Sequence, residues 1–355
     1  MTSSGLRSVL PITTRRPQRA RIQLPPLGPA WAGAVMGTGI SCSLTWTFGL
    51  HLLSRILLVA VTLLCVAMVA FWAKHRNPGF TTQAMPAWGM VSMGLLAVGS
   101  AYSGTLGWWP VHAAMWAIGT PLGFITCLWY LAAMLRKEVG SSAFTWGLPL
   151  VAPMVAATSS AQLAAHLDNR LIMIIGAAGF FLALLVALPT FGVVYWELAR
   201  RGRNTNHPGL GYLPQEVATT VWIPLGIVGQ STAAAQLLTH GGIATYKTGA
   251  LAHAGTTYGT IMLLIGVPFA LFAVAHHWSS VGHYIVAKDR LPMPYNPSWW
   301  ASTFPVGTMC LGAHYLAATT DVPLLDTISH CLLFLLLLHL AWAALGGAAV
   351  IFRRR

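Results

Sequence analysis

The sequence predicts an all-α integral membrane protein in which ten transmembrane helices form five helical hairpins, odd helices inside and even helices outside. The first supporting observation is composition. Only 8% of the 355 residues are charged, 56% are hydrophobic, and the mean hydropathy is +0.66. Soluble domains carry about 25% charged residues, so this chain is too poor in charge to cover a water-exposed surface. The second observation is the distribution of basic residues, and the third is an internal repeat.

Ten segments are long and apolar enough for a span of about 20 residues. They are 29–50, 54–73, 86–106, 110–135, 144–164, 171–196, 216–238, 250–275, 298–318 and 327–352. Only the links 200–215 and 277–297 are long, which leaves no room for a second soluble domain. We therefore predict one ten-helix domain over 26–352. Residues 1–25 hold five arginines and no continuous apolar stretch, which predicts a basic, disordered cytoplasmic tail rather than a signal peptide.

The basic residues are distributed unequally between the two sides of the predicted membrane. The tail, the C-terminus and every second link hold 17 of the 20 Lys and Arg, and the opposite side holds Arg55, Arg170 and Lys247. Because cytoplasmic segments are enriched in Lys and Arg, both termini are predicted to be cytoplasmic in a multi-pass protein of the cell membrane. This topology also accounts for the net charge of +13, so no nucleic-acid partner is predicted.

The odd-numbered spans repeat a pattern that the even spans lack. Each odd span begins near a tryptophan and continues through small residues, proline or both; these tryptophans are Trp31, Trp88, Trp146, Trp222 and Trp300. Span 10, by contrast, contains the bulky run 332–338, which suits a lipid-facing helix. Repeated units of this kind predict equivalent hairpins around a common axis. Five inner helices around an axis would enclose a central path.

Small side chains recur at helical spacing on the odd spans and are the candidates for lining that path. We predict a pore-lining role for Gly33, Gly37, Ala152, Ala156, Gly226 and Gln230. The alternative interpretation is that small residues only allow helix backbones to approach closely, while tryptophans mark the membrane interface. For a single helix this alternative is favoured; the register of five helices favours a shared architecture.

Charged residues are almost missing from the spans. Glu216 begins span 7 and Glu197 ends span 6, and no embedded carboxylate offers an evident proton relay. The five cysteines fit small buried hydrophobic residues, and no cofactor or metal is expected. His276, His277 and His283 are the one partial histidine cluster, which leaves a membrane enzyme or sensor as a weak rival. A neutral path of small residues favours a channel or a weakly binding facilitator.

Four segments of the odd spans resemble the tellurite-resistance/dicarboxylate transporter family of slow anion channels, malate permeases and sulfite exporters. They are Pro29–Gly39, Trp146–Gln162, Trp222–Gln230 and Asn296–Gly312. The Thr-Phe-Pro-x-Gly motif at 303–307 is more similar to the malate and sulfite branch than to the bacterial tellurite branch. The resemblance covers about 26–352.

The resemblance implies quasi-fivefold symmetry, a central pore in each protomer, a homotrimer, and a pore-blocking phenylalanine that corresponds to Phe304. Ala301 and Thr308 lie at helical spacing from Phe304 and are predicted to line the pore with it. The expected function is transport of small anions such as C4-dicarboxylates (malate), sulfite, or chloride and nitrate. A proton-coupled exporter, with Glu216 or a histidine as the coupling group, is the alternative.

Overall fold

The structure is a computed structural model that describes residues 28–204, 215–240, 249–286 and 295–352, and its regular structure there is entirely helical. The α-helices are α1 (Ala32–Thr47), α2 (His51–His75), α3 (Met85–Leu106), α4 (Trp109–Leu135), α5 (Gly147–Leu167), α6 (Arg170–Asn204), α7 (Ile223–Thr239), α8 (Gly249–Val286), α9 (Thr303–Thr320) and α10 (Pro323–Phe352). The predicted tail 1–25 lies outside the described residues.

The odd helices form a closed ring, which confirms the predicted fold class. Each packs against the next odd helix, from α1 through α3, α5 and α7 to α9, and α9 packs against α1. Every odd helix also packs against the even helix that follows it, which completes five hairpins around one axis. We call the face at which the odd helices end the upper face, and the face at which they begin the lower face.

Burial separates the two classes of helix as the repeat predicted. In the most apolar stretch of α5, 89% of the residues are buried, against 22% in the same stretch of α2. Large apolar side chains such as Leu63 on α2 and Phe181 on α6 are exposed on the outside. Since lipid is as apolar as these side chains, the even helices can present them outward, while the inner ring is screened from lipid and tolerates Ser, Thr and Gln.

Within the described ranges, eight helices are long and apolar enough to cross a membrane by themselves, and α1 and α9 are not among them. Both are inner helices, and a 3-10 helix precedes each of them, Pro29–Trp31 and Pro297–Ser302. Sixteen residues of α1 span only about 24 Å, and the 3-10 segment adds about 6 Å, which brings the total near the bilayer core of about 30 Å. A 3-10 start is shared by all five odd helices.

Two outer helices are longer than predicted. The sequence predicted that spans 6 and 8 end near 196 and 275, but α6 continues to Asn204 and α8 to Val286. The apolar pattern stops where the lipid core ends, whereas a helix can continue into the polar region because its backbone hydrogen bonds are internal. The predicted long links 200–215 and 277–297 are therefore partly helical.

Candidate functional site

A cavity of about 200 Å³ enters the ring from the upper face. All five odd helices contribute to its wall. The lining residues are Ile40, Ser43, Trp46 and Thr47 of α1; Leu96, Ala97, Ser100, Ser103 and Gly104 of α3; Trp109 at the start of α4; Val155, Thr158 and Gln162 of α5; Gln230 of α7; and Phe304, Leu311 and Tyr315 of α9. Thr47 and Gly104 are exposed at the rim, whereas Phe304 is only 4% exposed. The cavity therefore runs from an open mouth to a closed inner end.

The wall of the cavity is polar but uncharged. None of the described lining residues carries a formal charge. Ser100 on α3 donates a hydrogen bond to Gln162 Oε1 on α5 at 3.0 Å, and Tyr315 on α9 also interacts with Gln162. Hydroxyl and amide groups from three different inner helices therefore meet at one level. Such groups can replace part of the hydration of an anion without holding it as tightly as a fixed cation would.

The inner end of the cavity is more apolar. Ile40, Leu96, Val155 and Phe304 contribute carbon atoms, and Gln230 is the polar exception. Gln230 Nε2 donates to Thr158 Oγ1 at 2.6 Å, while Gln230 Oε1 is buried and has no partner among the described residues. A ring of bulky apolar groups at the end of a water-accessible space excludes water from the narrow part.

Phe304 and Gln230 are the two predicted site residues that the structure brings together on this cavity. Gly37 and Gly226 instead lie at contacts between inner helices: Gly37 faces Thr303, and a Cβ placed on Gly226 would lie 3.7 Å from Pro305. Thr308 is fully buried, and its hydroxyl donates to Pro305 O at 2.8 Å. These positions hold the ring together.

The remaining predicted residues also lie outside the cavity lining. A Cβ on Gly33 would lie 3.3 Å from the Cβ of Trp300, and Ala301 is half-buried in the 3-10 segment before α9. Ala152 lies 3.4 Å from the Cβ position of Gly123 on the outer helix α4, and Ala156 is fully buried one turn further. A pore-lining role for these residues stays a prediction, and what the structure shows of them is helix packing.

Sequence reasoning missed Ser43, Ser100, Gln162 and Tyr315, although a signal was present. The lining residues follow helical spacing: 40, 43 and 47 on α1, 155, 158 and 162 on α5, and 304, 311 and 315 on α9. On α1 and α5 this face lies roughly 90–120° around the helix from the stripe of small residues, at about 100° per residue. Polar residues on this face toward the upper ends of the odd spans, such as Ser43 with Thr47 and Thr158 with Gln162, would have identified the wall.

A buried histidine lies directly behind this wall and was also missed. His112 on α4 is fully buried, and its Nδ1 and Nε2 each lie 2.8 Å from a serine hydroxyl, those of Ser103 and Ser159. Its ring centre lies 5.5 Å from that of Trp109, whose ring also stacks on His166 at 4.0 Å. Because Ser103 lines the cavity, the imidazole is one hydroxyl group away from it.

Of the three histidines considered as a metal site, His276 and His277 have described side chains. His277 Nδ1 accepts a hydrogen bond from Trp222 Nε1 at 3.1 Å, and the side chain of His283 is outside the described residues. Within the described ranges, no group of three or more His, Cys, Asp or Glu side chains is placed to hold a metal ion. His277 packs instead against His339, with ring centres 5.0 Å apart.

Comparison with known proteins agrees with this architecture. A family model described as voltage-dependent anion channel (SLAC1) matches residues 26–348. An uncharacterized transporter of Methanocaldococcus jannaschii is 23% identical over 336 residues, which covers 87% of this chain and 88% of that protein. Sulfite efflux pumps SSU1 of Trichophyton rubrum and Arthroderma benhamiae are each 23% identical over 346 residues, 84% of both chains. The similarity extends over nearly the whole ring of hairpins.

Proposed function

Because the chain belongs to the voltage-dependent anion channel family, we propose that it carries small oxyanions of the sulfite class through its ring of odd helices, with Phe304 as the gate. Membership confirms the resemblance drawn from the motifs of the odd spans. It also establishes a multi-pass membrane protein that transports anions and is not an enzyme. The choice of anion, the gate and the direction of transport are the parts that we propose.

The observation that carries the proposal is the uncharged polar cavity that ends at Phe304. Hydroxyl and amide groups favour a partly dehydrated anion, and the absence of a fixed charge from the described wall allows the anion to leave again. The volume of about 200 Å³ is below the ~300–1,000 Å³ of pockets for drug-sized ligands. A small anion with a few waters fits this space.

Phe304 is suited to close the path by excluding water. Its ring is almost fully buried at the inner end of the cavity, among Ile40, Leu96 and Val155. An anion that passes these four apolar side chains must lose hydration, and none of them offers it a polar partner in return. A hydrophobic narrowing of this kind gates by dewetting. Movement of one aromatic side chain would then open the path.

The charges at the two faces favour export. At the lower face, Lys74, Arg76 and Lys137 lie near the ends of even helices, where basic residues outnumber acidic ones. At the upper face, Asp168, Asp321 and Asp326 outnumber Arg55 and Arg170 among the described residues. We propose that the lower face is cytoplasmic, so that both termini are cytoplasmic and the protein is in the cell membrane. Local positive potential then raises the anion concentration at the cytoplasmic entrance.

Flux measurements in proteoliposomes test the proposed function. Vesicles that contain the purified protein should release trapped sulfite faster than trapped malate, chloride or nitrate. Each of these anions should also leave them faster than it leaves protein-free vesicles. Selective sulfite release would agree with the names of the fungal relatives. Malate release above sulfite would instead assign the chain to dicarboxylate transport, and no anion release above protein-free vesicles would refute the proposal.

Proton-coupled export is the second candidate, favoured by the position of His112. This imidazole hydrogen-bonds Ser103 on the cavity wall and Ser159 behind it, so it can act as a proton acceptor beside the path. The side chain of Glu216, the other predicted coupling group, is outside the described residues. With equal hydrogen sulfite concentrations on both sides, a pH gradient should drive net sulfite movement if transport is coupled to protons. A pure channel would respond only to voltage and to the anion gradient.

A homotrimer, each protomer with its own pore, remains our proposal from the family resemblance. The apolar outer faces of the even helices, including exposed Leu63 and Leu185, can contact either lipid or a neighbouring protomer. Native mass measurement in detergent and in lipid nanodiscs should give three copies per particle. A monomer in both environments would contradict the proposal.

A further inference from the structure

Gln230 combines deep burial with an unused hydrogen-bond acceptor at the inner end of the cavity. The residue is 2% exposed, lines the cavity with Phe304, and leaves its Oε1 without a partner among the described residues. Buried side-chain oxygens are nearly always paired, so an exception needs an explanation. The oxygen is also out of contact with solvent, so a partner must enter the constriction itself.

The neighbouring hydrogen bonds fix the orientation of the Gln230 amide. The Thr158 hydroxyl donates its only hydrogen to Val155 O at 2.8 Å. It can therefore only accept from Gln230, at 2.6 Å, which requires the nitrogen of the amide to face Thr158. One N–H of Nε2 is used in this way. The second N–H of Nε2 and Oε1 are a donor and an acceptor on the same amide that no described hydrogen bond uses.

The other buried glutamine of α7 shows what a satisfied amide looks like in this protein. Gln236 is also 2% exposed, but its Nε2 donates to Gly255 O at 2.9 Å and its Oε1 accepts from Thr319 at 3.0 Å. It does not line the cavity. The free acceptor is therefore a property of Gln230 and of its place beside Phe304, not of buried glutamines on this helix.

We infer that Gln230 is a specificity-determining residue that selects an oxyanion carrying one O–H, such as hydrogen sulfite. An X(=O)–OH group accepts from the free N–H and donates to Oε1, so both unused groups of the amide are paired at once. Chloride and nitrate can accept but cannot donate, and they leave Oε1 unpaired in a dehydrated site. Sites that hydrogen-bond a substrate proton strongly reject analogues without it. This inference rests on the proposed transport path and names the protonation state of its substrate.

The test compares two anions in the same vesicles. Wild type, Gln230→Met and the matched control Gln236→Met are reconstituted at one mildly acidic pH, equal on both sides, at which hydrogen sulfite predominates. Release of hydrogen sulfite and of nitrate is measured for each protein. The ratio of the two fluxes does not depend on how much protein folds. If Gln230→Met cannot be purified, Gln230→Asn withdraws the amide by one methylene and serves instead.

We expect wild type and Gln236→Met to prefer hydrogen sulfite over nitrate, and Gln230→Met to lose at least about tenfold of that preference, about 1.4 kcal/mol. Equal wild-type fluxes of the two anions would overturn the inference while leaving anion transport intact. A parallel fall of both fluxes in Gln230→Met would overturn it as well. Failure of the proposed function is a different result, namely no wild-type flux of any anion above protein-free vesicles.

Discussion

Replacement of Phe304 by alanine separates a gate from a packing residue, because the two roles predict opposite changes in flux. The ring is 4% exposed and closes the inner end of the cavity. If it excludes water from the path, Phe304→Ala should raise anion flux per folded molecule. We expect at least a tenfold increase in flux, which corresponds to a barrier lower by about 1.4 kcal/mol.

The effect on stability follows from the same geometry. Truncation of a buried phenylalanine costs about 3–5 kcal/mol, and part of that is the empty space left behind. At Phe304 the vacated space joins an existing cavity of about 200 Å³ that water can enter, so we expect a loss near 3 kcal/mol. Phe191 on α6 provides the matched control. It is 5% exposed, packs against Gly147 and does not line the cavity.

The assay is anion release from liposomes that contain equal amounts of monodisperse wild type, Phe304→Ala or Phe191→Ala. We expect faster release from Phe304→Ala, and unchanged release per folded molecule with lower thermal stability from Phe191→Ala. Unchanged or slower release from Phe304→Ala would refute the gate. Leu335→Ala on the outer helix α10 is a second control, which should leave release unchanged.

Two further predictions concern helix packing and orientation. Gly312→Ala on α9 should lower stability by about 1–3 kcal/mol, because the new Cβ would lie 2.6 Å from Gly229 O. The control Gly192→Ala on α6 has open space around the new Cβ, so its stability should be unchanged or rise by up to about 1 kcal/mol. Equal melting temperatures of the two variants would contradict close α7–α9 packing. A cysteine at exposed Asn77 should react with an impermeant reagent from the cytoplasm and one at exposed Val322 from outside, with unsubstituted protein as background. Reaction of both from one face would refute the proposed topology.

The architecture was predictable because hydropathy and the repeat act over whole helices. The tryptophan and small-residue pattern placed α1 and α9 in the inner ring, although neither is long and apolar enough on composition alone. What the pattern could not give was the end of α6 or α8. A helix continues beyond the lipid core as long as its backbone is hydrogen-bonded, and hydropathy does not record that point.

The site was only partly predictable, because a small residue serves two purposes. Gly37 and Ala152 allow neighbouring helices to approach, and the same residue type would also widen a pore. A single sequence does not show which side of a helix faces the axis. Gln230 was found because it lies at helical spacing from Gly226, and Phe304 because the family resemblance implies a pore-blocking phenylalanine there; both line the cavity. Gln162 and Tyr315 became visible only once the inner helices were placed next to each other.

The central claim is that anions move through the space enclosed by the five odd helices, and a cysteine in the wall tests it most directly. Ser43 on α1 lines the cavity, is half-buried, and differs from cysteine by one atom. A bulky, charged thiol reagent attached to Ser43→Cys should abolish anion release, while the same reagent should leave wild type, with its exposed Cys331, unaffected. Complete modification of Ser43→Cys, verified by mass, with undiminished anion release would contradict the account.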